Sequence, residues 1–97
     1  MDQYNEIILD LTGCRYLGDI HQRIKETFSF PNYYGETWDA FLDAFRTVGV
    51  PDRIIITGES TVPKELLSEL ERMHSTLDYI RGELLAFGQT FSYKIKD

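Results

Sequence analysis

Arg53-Ile54-Ile55-Ile56-Thr57 is a short, β-branched run with apolar residues on both sides of the pleat. Such a run reads as a strand buried on both faces, the habit of parallel sheets whose strands are joined through helices. On its N-terminal side, Trp38, Phe41, Leu42, Phe45 and Val48 recur at helical spacing, with Thr37 a suitable cap and Gly49-Val50-Pro51 ending the helix. On its C-terminal side, Pro63 suits a first helical position, and Leu66, Leu67, Leu70 and Met73 continue an apolar stripe. Ser75 with Asp78 three residues on resembles a capping box, which predicts a break and a fourth helix lined by Leu77, Ile80, Leu84 and Phe87, with Gly88 at its C-terminal cap.

Further out, Ile7-Ile8-Leu9-Asp10-Leu11 reads as a second strand buried on both faces, ended by Thr12-Gly13. Gly18-Asp19 opens a first helix carrying Ile20, Ile24 and Phe28, which Pro31 and Asn32 stop. Tyr33-Tyr34-Gly35-Glu36 is then an aromatic-rich loop. Phe91 to Ile95 alternates apolar and polar residues, as expected of a strand at the sheet edge. The predicted order is β-α-α-β-α-α-β. Long helical crossovers imply parallel pairing, so the expected fold is α/β, a three-stranded parallel sheet packed with about four helices.

With 97 residues the chain fits a single domain spanning 1–97. Its 42% hydrophobic and 27% charged residues are the balance of a globular protein. The net charge of -6 disfavours nucleic acid and anionic membrane as direct partners and favours a basic protein. The lone Cys14 excludes an internal disulfide. The stretch from Met1 to Leu11 lacks the basic start of a leader peptide, and no apolar run approaches a membrane span. These features predict a reduced, cytoplasmic protein, and nothing demands more than a monomer.

No catalytic signature is present: there is no GxSxG, glycine-rich phosphate loop, HExxH or CxxC. His21 and His74 fall on separate helices as surface or boundary residues, and Cys14 reads as a small hydrophobe; no cofactor or metal is expected. Asp39 and Asp43, four residues apart on the second helix, share a face turned away from the Trp38/Phe41/Phe45 stripe, with Glu36 near the same direction. Three readings fit that spacing. The face is simply solvated, with Arg46 pairing locally; or it is a rigid anionic patch flanked by the exposed aromatics of the Tyr33-Tyr34 loop, as protein interfaces favour; or the aspartates are an acid–base pair, which needs a cleft and unequal environments.

The run from Phe30 through Pro31, Tyr33-Tyr34-Gly35-Glu36-Thr37, Trp38 and Asp39 to Asp43 resembles the signature of the barstar family, inhibitors of barnase-type ribonucleases. Asp19-Ile20-His21-Gln22 is similar to the Asp-Leu-His-Gln that opens that family's first helix. The likeness extends from about Asp19 to Phe45, and the predicted element order matches the family throughout.

The resemblance implies that the loop and acidic helix enter a nuclease active site, with carboxylates where RNA phosphates bind. Tyr33, Gly35, Glu36, Thr37, Asp39, Leu42 and Asp43 are the implied partner-binding residues, with Tyr33 on the nuclease rim and Asp43 as main anchor. A glutamate on the last helix corresponds to Glu83. The implied partner is a basic, secreted-type ribonuclease, and no catalysis is expected. Leu42 stands where the family has an interface tryptophan, Trp38 where it has leucine, and Thr37 where it has asparagine. The alternatives are an immunity or interaction protein of this fold with a basic partner that is not a ribonuclease, and a small carboxylate enzyme. Two like charges at i, i+4 strain a free helix slightly, so Asp43→Asn is expected to stabilise the free protein while weakening binding.

Overall fold

The computed structural model describes residues 4–97. Met1 to Gln3, part of the stretch read above for a leader, lie outside the described residues. In order come β1 (Glu6–Asp10), α1 (Leu17–Phe28), α2 (Trp38–Val48), β2 (Arg53–Thr57), 3-10 turns at Glu59–Thr61 and Lys64–Leu66, α3 (Leu67–Ala86) and β3 (Ser92–Ile95). The strands form one parallel sheet in the order β1-β2-β3. The α/β reading with three parallel strands therefore holds, and β3 is at an edge as its alternation predicts.

β2 is central, and Ile54, Ile55 and Ile56 are all buried. In-register partners share a face of the sheet. Ile7, Ile54 and Tyr93 form one row of the helix-covered face, and Leu9 and Ile56 the next, whose β3 member, Ile95, is left exposed at the sheet edge. The expectation that β1 is buried on both faces is corrected: Ile8, on the opposite face, is 60% exposed. β1 is an edge strand, and the core lies on the other face; a β-branched run alone cannot distinguish one covered face from two.

The predicted break at Ser75 is also corrected, because α3 runs unbroken through it. Leu70, Met73, Leu77 and Ile80 are buried along one stripe whose helical spacing never slips. With no glycine or proline from Lys64 to Arg81, one long helix keeps that stripe on the core. The final turns lift away from it. Phe87, expected to line the core, is 81% exposed, just before Gly88 (φ 76°), where the amides of Gly88 and Gln89 bond back to Leu85 and Leu84. Val48 at the end of α2 is likewise exposed rather than on the core stripe.

α2 is held by aromatic packing. Phe45 meets Phe28, Phe30 and Phe41 edge-on, at centroid separations of 4.9, 5.2 and 4.8 Å. With Trp38, Phe41, Ala44 and Phe45 facing inward, the Asp39/Asp43 side must face out. No helix among the described residues is long and apolar enough to cross a membrane.

Gly58, just after β2, has φ +82°, and a Cβ there would fall on the backbone nitrogen and Oγ1 of Thr12. Gly58→Ala is expected to lower unfolding stability by about 1–3 kcal/mol through backbone strain alone, before the clash is counted. Urea unfolding measures it, and an unchanged midpoint would contradict this account of the β1–β2 junction.

Candidate functional site

The loop between α1 and α2 is pinned from beneath. Tyr34, 8% exposed, places its hydroxyl 2.7 Å from Nδ1 of His21, and the His21 ring lies 4.5 Å from that of Trp38. Burial pushes the Tyr34 phenol well above its ordinary range, with the Glu36 carboxylate adding to the shift. His21 is 1% exposed, which corrects its reading as a surface or boundary residue: it is the post on which the loop rests. Its pKa is lowered by burial, against the pull of Glu36 and Glu69. Tyr34 is corrected too, since only Tyr33 of the pair is exposed, at 82%.

At the helix entry, the Thr37 hydroxyl accepts from the amide of Ala40 at 3.1 Å, the expected cap. Glu36 precedes it in the left-handed region (φ 54°), which turns the chain sharply into α2. Trp38 fills the space beside His21, and its indole N–H donates to Oε1 of Glu69 on α3 at 2.9 Å. The residues facing inward are thus Tyr34 and Trp38. Tyr33, Gly35, Glu36, Thr37, Asp39 and Asp43 are all exposed.

Beside Asp43, a hollow of about 280 Å³ opens between the loop and α2, with Tyr33, Gly35 and Ala40 among its walls. A second hollow of about 560 Å³ lies between the C-terminal parts of α2 and α3, over Leu42, Phe45 and Leu84. Leu42 is half-buried in its wall.

Arg46 stands between them. Its Nη1 is 3.6 Å from Oδ1 of Asp43, and its Nη2 is 2.7 Å from Oε2 of Glu83. One guanidinium therefore gathers Asp43 and Glu83, forty positions apart in the chain, at one end of the face. The local pairing of Arg46 with Asp43 was legible in their spacing; the bridge across to α3 was not.

Chemically the face is a row of carboxylate acceptors on a fixed helix, suited to arginine, lysine or protonated histidine. Asp39 and Asp43 stand in the open and share no cleft that would separate their environments. Among the described residues no three histidine, cysteine, aspartate or glutamate side chains are grouped to hold a metal ion. Cys14 is buried, which raises its thiol pKa and leaves it a core residue. His74 is half-buried, with Nε2 2.6 Å from Oε2 of Glu59.

A search of curated proteins returns no match. The family model described as Barstar (barnase inhibitor) matches residues 4–96, which takes in all three strands and the whole acidic face. The chain belongs to the barstar family.

Proposed function

We propose that this chain is a protein inhibitor of a barnase-type ribonuclease, acting in the cytoplasm as a monomer and without catalysis of its own. The observation that carries the reading is the outward row Asp39–Asp43 on a helix locked to the core, in a chain of the barstar family.

A ribonuclease holds phosphates and so lines its site with cations. Carboxylates presented at the spacing of one helical turn occupy those cations in place of RNA. Because the loop is pinned by His21 and Trp38, little ordering remains to oppose association. Tyr33 supplies a rigid aromatic contact on the nuclease rim, where interfaces concentrate binding energy. Gly35 walls the hollow, Glu36 and Thr37 are exposed at the entry to the helix, and Asp43 beside the hollow is the anchor. The charge of -6 speeds encounter with a basic partner, and salt weakens that steering. The barnase–barstar pair is itself the standard case of such steering.

Titration into a barnase-type ribonuclease, with RNA cleavage followed at low and moderate salt, tests the reading. Stoichiometric inhibition that weakens with salt is expected. Absence of inhibition at either salt concentration would move the function to a basic partner other than a ribonuclease.

A further inference from the structure

We propose that Arg46 sets which basic partners the acidic face accepts, by holding Glu83 and part of Asp43 out of reach of a partner's cations. The inference rests on the reading of this face as a cation-binding surface. It adds that the carboxylates are unequally available.

The Arg46 guanidinium bonds Glu83 across the gap between α2 and α3 at 2.7 Å and stands 3.6 Å from Asp43. Glu83's side chain is 35% exposed and Asp43's is 76%. An arginine approaching Glu83 therefore meets a carboxylate already engaged and a like charge beside it. Asp39 has no cation within ion-pair distance among the described residues, and Asp43 keeps its outer side open.

The surface is consequently divided. Its Tyr33/Asp39/Asp43 end offers acceptors, whereas its Arg46/Glu83 end offers a neutralised pair with a half-exposed guanidinium. The complementary partner presents cations to the first end and a carboxylate or neutral polar group to the second. A partner with arginines facing both ends is penalised, because juxtaposed like charges suppress wrong pairings.

The test compares wild type with Arg46→Gln and with Arg81→Gln. Arg81 pairs with Asp78 within α3 at 3.0 Å, so its loss removes the same charge without touching Asp43 or Glu83. Two readouts are used at low salt: inhibition of a barnase-type ribonuclease, and binding of a fluorescent octa-arginine peptide. Arg46→Gln is expected to tighten peptide binding about three- to tenfold, and Arg81→Gln less than about twofold. Equal effects of the two variants would reduce the matter to net charge and overturn the proposal. Weaker peptide binding by Arg46→Gln would overturn it as well.

The nuclease readout separates this inference from the one beneath it. If no form inhibits the nuclease while the peptide still distinguishes Arg46→Gln, the ribonuclease reading fails and the role of Arg46 stands. If inhibition occurs and depends on Asp43, but the peptide does not distinguish the variants, only the role of Arg46 fails.

Discussion

Asp43→Ala is expected to weaken inhibition of a barnase-type ribonuclease by about 30- to 5,000-fold, the equivalent of about 2–5 kcal/mol for truncating one partner of a desolvated charge pair. That range is the one set by the barnase–barstar pair itself. What the structure contributes is the reason Asp43 should lead. Its carboxylate is the most exposed of those gathered by Arg46 and borders the hollow walled by Tyr33 and Gly35. Once a nuclease covers it, the cation left facing alanine has lost both water and partner, and that unpaired cation accounts for most of the loss.

The inhibition constant of Asp43→Ala, measured beside its urea midpoint, checks the claim. An unaltered midpoint with inhibition lost places the effect in binding. Loss below about threefold would remove Asp43 as anchor and return the acidic face to a solvated surface.

The companion expectation for Asp43→Asn changes once the structure is known. Spacing alone predicts relief of a like-charge pair on removing the Asp43 charge. Arg46 already relieves Asp43 from three residues further along α2, so the removal of repulsion and the loss of this contact oppose each other. Stability of the free Asp43→Asn variant is therefore expected to stay within about 0.5 kcal/mol of wild type. Affinity should still fall.

What the sequence made legible follows the range over which its signals act. The strands, α1 and α2 were readable because their apolar residues recur at short, regular intervals, and Thr37 announces its helix through its own hydroxyl. The false break at Ser75 came from a local motif, Ser75 with Asp78, that loses to the uninterrupted stripe from Leu70 to Ile80. β1 misled for a related reason: Ile8 is as apolar as Ile7, but only packing decides which of two alternating faces the helices cover. At the site, Asp39 and Asp43 were visible as an i, i+4 pair. The Arg46–Glu83 bridge spans thirty-seven positions and has no periodic signature. His21 falls beside Phe28 on the apolar stripe of α1, a cue that its polarity masked; spacing places the ring at the core margin but does not reveal that it supports a loop.

That hidden residue carries the second large effect. His21→Ala is expected to lower unfolding stability by about 3–5 kcal/mol, combining the cavity left by a fully buried ring with the loss of Tyr34's hydrogen-bond partner. This is a large share of the roughly 5–15 kcal/mol that holds a typical domain folded. Inhibition should fall too, because a loosened Tyr34 frees the Tyr33–Glu36 loop that binding requires in order. The same geometry fixes a pH dependence. Burial lowers the folded-state pKa of His21 below 6.5, so the unfolded chain binds the extra proton first as pH falls. The stabilising contribution is present above about pH 6.5 and is lost as pH drops from there towards the folded value, with a slope of at most about 1.4 kcal/mol per pH unit. Urea unfolding of wild type and His21→Gln between pH 8 and pH 5 isolates the effect, since His74 and the carboxylates are common to both proteins. The wild type should lose more stability than His21→Gln over that interval. Parallel curves would mean that His21 binds its proton equally readily in the folded and unfolded chains, and the lowering of its pKa by burial beneath the loop would be overturned.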